Sequence, residues 1–110
     1  MFLLNGKGIL YSYGYGEYGA LGQGGITFLQ TPKIIPSLKD RFVIQVSCGE
    51  FHSLALTNIG DVYAWGRGFE GQLGIAKNFE TSSTPKYLKY FYNNPVTYIA
   101  CGAYHSLAIT

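Results

Sequence analysis

The 110-residue chain predicts an all-β protein made of antiparallel units repeated along the sequence, and three observations carry that prediction. Apolar and polar residues alternate with a period of two in short runs, which suits strands and is too brief for helices. Aromatic residues make up 16% of the chain, ten of them Tyr, against 13% charged. Tyr favours a pleated surface with one wet edge. Finally, the chain resembles itself at an offset of 52 to 53 residues, and a fixed period of that size marks stacked structural units.

The elements follow in order. Met1 to Leu4 aligns with Ser53 to Leu56, so the chain begins inside a repeat. This apolar run is broken at once by Asn5-Gly6-Lys7-Gly8, far short of a signal-peptide core or a membrane span. Tyr13 to Gly22 has a copy in Trp65 to Gly74, and Thr31-Pro32-Lys33 returns as Thr84-Pro85-Lys86. One extra residue in the second glycine-to-proline loop accounts for the slip from 52 to 53, an indel that loops tolerate. Pro85 starts an extended segment, and Val43 to Cys48, matched by Val96 to Cys101, makes another.

Cys48 to Thr57 recurs as Cys101 to Thr110. Within it His52, Leu54 and Leu56 share one face and Ser53 and Ala55 the other, which reads as a short buried strand. Asn58-Ile59-Gly60-Asp61 supplies a turn with Gly60 suited to positive φ, and Val62 to Trp65 returns as the second strand of a hairpin. About four strands per roughly 52 residues is the size of one propeller blade. The repeat units run approximately over residues 1–56 and 57–110 of a single domain.

The run Cys-Gly-x-x-His-Ser-Leu-Ala-Leu-Thr, a turn with Gly, then Val-Tyr-x-Trp-Gly-x-Gly-x-x-Gly-Gln-Leu-Gly resembles the repeat of the regulator of chromosome condensation (RCC1) family. Residues 48–74 match it almost position for position, and residues 101–110 begin the next copy. Residues 13–22 depart from it at Tyr13, in place of Trp, and Ala20, in place of Gln. Members form seven-bladed β-propellers, so the resemblance implies an incomplete propeller of about two four-stranded blades. A full ring would need roughly 360 residues. The expectation is therefore a piece of a longer propeller, or a chain that completes its packing against further repeats of the same or another chain.

Two motifs invite a chemical reading, and the repeat argues against both. Gly14, Gly16 and Gly19 fit G-x-G-x-x-G, which in a dinucleotide loop is followed by a helix and, about 20 residues on, by an acidic residue. No helical pattern follows either copy, so Gly14, Gly22, Gly66 and Gly74 read as structural turns with Leu21 and Leu73 pinning the loops. Cys48 and His52, with Cys101 and His105, could supply zinc ligands by type. Equivalent positions in successive blades are held apart by the rotation between blades, so His52 and His105 read as buried repeat residues bonded to neighbouring backbone, and Gly49 and Gly102 as turn residues. Trp65 reads as packing between blades. No cofactor is expected.

No catalytic constellation emerges. Glu17, Asp40, Glu50, Asp61, Glu70 and Glu80 lie in turns or near strand ends, and no Ser or Cys sits in a nucleophile motif. Eight scattered basic residues give a net charge of +2 without a block of like charge, a poor footing for nucleic acid or an anionic membrane. Two cysteines make no disulfide framework, and the chain reads as intracellular, cytoplasmic or nuclear. The two copies diverge at Tyr90 and Tyr92, which replace Ser37 and Lys39, so Tyr87, Lys89, Tyr90 and Tyr92 form a candidate protein-binding patch.

The function expected is a non-enzymatic protein-interaction scaffold. The alternatives are guanine-nucleotide exchange on a small GTPase, the activity of the family's founding member, and a structural subunit of a large cytoskeletal or organellar complex. For the exchange reading, no position here matches a catalytic one, and the loops Gln23 to Thr31 and Ile75 to Thr84 leave little room for a protruding wedge.

Overall fold

Period-two alternation produces nine strands in a computed structural model that describes residues 1–16, 19–25, 28–49, 52–67, 82–88, 95–101 and 109, and the backbone of 106–108. They are β1 (Phe2–Leu4), β2 (Leu10–Tyr15), β3 (Phe28–Ile34), β4 (Val43–Cys48), β5 (His52–Thr57), β6 (Val62–Gly66), β7 (Ser82–Tyr87), β8 (Tyr98–Cys101) and β9 (Ser106–Ile109). A short 3-10 turn at Pro36–Leu38 links β3 to β4. Every strand pairs antiparallel with its sequence neighbour inside three sheets: β1-β2-β3, β4-β5-β6-β7 and β8-β9. The middle sheet is one complete blade. The 52-to-53 offset maps β1 and β9 onto β5, β2 onto β6, β3 onto β7 and β8 onto β4, so the sequence repeat crosses from one sheet to the next.

The β5–β6 hairpin forms as its turn chemistry predicts. Thr57 N–H donates to the Asp61 carbonyl at 2.9 Å, Gly60 N–H to the Thr57 carbonyl at 3.0 Å, and Asp61 N–H to Thr57 Oγ1 at 3.1 Å. Two strands start elsewhere than the sequence suggests. β7 begins at Ser82 rather than Pro85, and β8 at Tyr98 rather than Val96. In β7 the ladder to β6 shifts register between Ala64 and Gly66, and Pro85 falls in the resulting gap between the paired Lys86 and Ser82. Pro32 occupies the same gap in β3, where pairing to β2 skips between Ser12 and Gly14. Both prolines thus lie in edge strands at an irregularity, where a missing N–H costs little.

The middle sheet buries both faces because its residues alternate. Ala55, Tyr63 and Trp65 face the first sheet and join Leu10, Ile35, Leu38 and Val43, with Phe2, Leu4 and Val46 packed at the margin. Leu54, Leu56, Val62 and Ala64 face the other way, against Ile99, Val96 and Leu88. Each large apolar side chain removed from water contributes about 1.5–3 kcal/mol. These two layers between sheets, not any one sheet, make up the core.

The joint between sheets repeats as well. Val43 N–H donates to the Gly8 carbonyl at 2.9 Å, and Val96 N–H to the Gly60 carbonyl at 3.0 Å, so each hairpin turn holds the chain at, or two residues before, the start of the following sheet. Gly60 has φ +90°, and a Cβ there would lie 2.6 Å from Pro95 Cβ and 3.0 Å from Val96 N. Only glycine fits both the conformation and the contact.

Candidate functional site

The glycine loop after β2 is the first place to look for a ligand, and it is filled by protein. A Cβ on Gly22 would lie 3.0 Å from Trp65 Nε1, and one on Gly19 would lie 2.5 Å from Ser83 Cα. Trp65 is fully buried, its Nε1–H donates to the Ala20 carbonyl at 2.9 Å, and its ring meets Phe2 edge-on with centroids 5.7 Å apart. Two amides of the loop's second half are bonded within the protein: Gly22 N–H donates to the Gly19 carbonyl at 3.0 Å and Gly24 N–H to the Ser83 carbonyl at 2.9 Å. The loop is therefore a socket for the indole of the next unit. Leu21, fully buried, fills the space where a Gly16 Cβ would stand.

A residue that the sequence did not single out completes this socket. Gln23 Nε2 lies 3.1 Å from Ser12 Oγ and 3.0 Å from the carbonyls of Lys33 and Ile34, tying the loop back to β2 and β3. Ser12 is fully buried in β2. A polar residue at an inward strand position was the only trace of this in the sequence.

The other repeat positions fall into place by backbone geometry. Gly14 and Gly66, equivalent in the repeat, have φ +92° and +98°. Gly49 N–H donates to the His52 carbonyl at 2.8 Å, closing the turn from β4 to β5. His52 is buried in β5 opposite Gly66. Cys48 is exposed as a residue, but partial desolvation of its thiol raises its pKa above the ordinary value, partly offset by its hydrogen bond with Ser53. Cys101 Sγ lies 3.3 Å from the Ser47 carbonyl. Among the described residues, no three His, Cys, Asp or Glu side chains converge as metal ligands. Gly74, Gly102 and His105 lie outside the described residues.

Of the candidate surface patch, Tyr87 is 38% exposed, with its ring 5.6 Å from that of Tyr63, its partner in the β6–β7 ladder. Lys89, Tyr90 and Tyr92 lie outside the described residues. A second aromatic pair, which the sequence did not single out, is more open. Tyr15, 82% exposed, and Phe28, 50% exposed, stand opposite each other on β2 and β3 with ring centroids 4.9 Å apart. They are far apart in sequence, and only the strand register unites them. No helix among the described residues is long and apolar enough to cross a membrane.

Comparison with known proteins agrees with this geometry. The family model described as the regulator of chromosome condensation (RCC1) repeat matches residues 7–56 and 60–109, and a second model of that repeat matches residues 43–72. Protein RCC2 homolog of Xenopus laevis is 41% identical over 106 residues, which is 96% of this chain and 20% of that protein. Probable E3 ubiquitin-protein ligase HERC6 of Homo sapiens is 39% identical over 105 residues, 94% of this chain and 10% of that protein. Among solved structures, Prp20p of Saccharomyces cerevisiae superimposes with a TM-score of 0.88 at 20% identity, over 97% of this chain and 28% of that one. The chain thus spans less than a third of each of these proteins.

Proposed function

The chain belongs to the regulator of chromosome condensation repeat family, and on that footing we propose that it is a non-enzymatic scaffold that binds other proteins as an arc of a larger propeller or assembly. The observation that carries this is the glycine loop. Trp65 of the adjoining unit fills the space beside Gly22 and donates to the Ala20 carbonyl, and Ser83 lies against Gly19 and accepts from Gly24 N–H, which supports reading the feature most like a ligand site as blade-to-blade packing. Propellers hold loops and strand ends on a rigid frame, and partners dock there. The partner is a protein, and an intracellular setting, cytoplasm or nucleus, goes with the reading. Tyr87, Lys89, Tyr90 and Tyr92 are its candidate contact residues.

Two other readings have less support. The Prp20p structure was described together with its binding to Gsp1p and histones, but a likeness at 20% identity speaks to fold alone, and exchange activity does not come with the fold. HERC6 carries a ligase name, yet this chain covers 10% of it. A purely structural subunit would share the packing described here. A nucleotide-release assay with this chain and Gsp1p loaded with a fluorescent guanine nucleotide separates the exchange reading from the other two. Release at the intrinsic rate is expected, and a catalytic acceleration would overturn the scaffold proposal.

A further inference from the structure

The contact between β4 and β8 is made by side chains that stand where a neighbouring strand would. Gln45 Nε2 donates to the Ile99 carbonyl at 3.0 Å, and Gln45 Oε1 accepts from Ile99 N–H at 3.0 Å. Two residues on, Ser47 Oγ accepts from Cys101 N–H at 3.0 Å. A carboxamide offers a donor and an acceptor side by side, as a peptide group does, so Gln45 satisfies both peptide groups of Ile99 as a paired strand would.

In an antiparallel ladder a residue turns its N–H and C=O to the same side, and alternate residues point to opposite sides. Ile99 and Cys101 therefore present their peptide groups on the edge of β8 away from β9. No strand among the described residues lies on that edge. An open edge is a template for adding a foreign strand. The pair is not something the repeat imposes, because Tyr98 and Ala100 occupy the corresponding positions in β8.

We propose that Gln45 and Ser47 form a clasp that takes the place of a strand on the outer edge of β8, fixing the joint between the middle and third sheets and closing that edge to strand addition. The clasp is independent of which partner the scaffold binds. Its chemistry is specific: a carboxamide and a hydroxyl two residues apart on one face of β4, matched to two peptide N–H groups and one carbonyl on β8.

The test is amide hydrogen exchange read residue by residue on the full chain. Gln45→Met keeps the length of the side chain and removes its amide. It should speed exchange at Ile99 by about fivefold while Cys101 keeps its protection, since losing a hydrogen bond of about 1 kcal/mol shifts a local opening by that factor. Ser47→Ala should do the reverse, exposing Cys101 and sparing Ile99. The double variant should associate more strongly than the parent in light scattering, through the opened edge. Unchanged exchange at Ile99 in Gln45→Met would overturn the proposal, as would equal acceleration throughout β5 and β6, which would mark a general loss of stability. The milder Ser47→Ala variant keeps the test decisive should Gln45→Met fail to fold.

Discussion

Trp65 joins two units through one side chain. Its indole fills the socket between Ala20 and Gly22, touches Phe2, and donates to the partly buried Ala20 carbonyl. Trp65→Ala should cost about 3–5 kcal/mol, a large fraction of the 5–15 kcal/mol typical of a folded domain. Trp65→Phe retains much of the apolar contact but leaves the Ala20 carbonyl without its donor, and should cost less, about 1–3 kcal/mol. Denaturant titration of the full chain measures both, and a midpoint unmoved in Trp65→Ala would show that the socket contributes nothing. The sequence reads Trp65 as packing between units, because it is an aromatic at a repeat position just ahead of Gly66 and Gly68. Gln23 was not legible there, since a single polar residue in a loop carries no periodic signal and its three partners come from two strands.

At the level of the element, the hairpin turn has two tasks that only glycine reconciles. Gly60 must hold a positive φ to reverse the chain, and must let Pro95 and Val96 approach so that Val96 N–H reaches its carbonyl. Gly60→Ala should destabilise the chain by more than about 1 kcal/mol, because a Cβ adds both backbone strain and a contact with rigid backbone. Thermal melting tests this. A stabilised Gly60→Ala would mean that loss of unfolded-state entropy outweighs the strain. The strands themselves were read well where alternation is clean, as at Val43 to Cys48 and His52 to Thr57. They were read less well at β7, where Ser82, Ser83 and Thr84 have no apolar alternation and join the strand through pairing with Gly66 across a register shift.

Across the whole molecule, the three sheets are unequally covered. The face of the middle sheet that carries Ala55, Tyr63 and Trp65 is buried against the first sheet. The equivalent face of the first sheet carries Leu3, Tyr11 and Tyr13, with Leu3 48% exposed and Tyr11 and Tyr13 half-buried. On the third sheet Tyr98 and Ile109 are 51% and 49% exposed. Units of this kind reach stability by burying faces against neighbours. The purified 110-residue chain should therefore associate as its concentration rises, with a light-scattering mass above that of one chain. A well-folded monomer across the whole range would show that the three sheets suffice alone.

The sequence by itself determined the repeat, its length, the strands with clean alternation and the structural character of the glycine motif, because each is written locally or as a copy at a fixed offset. Tertiary structure alone decided which loop receives Trp65, how Tyr15 meets Phe28, and that Gln45 and Ser47 close the edge of β8. Those contacts join residues that the copy-to-copy offset does not single out, Trp65 with Ala20 at a separation of 45 and Gln45 with Ile99 at 54. They depend on strand register and on the rotation from one sheet to the next, and neither is encoded at any single position of the chain.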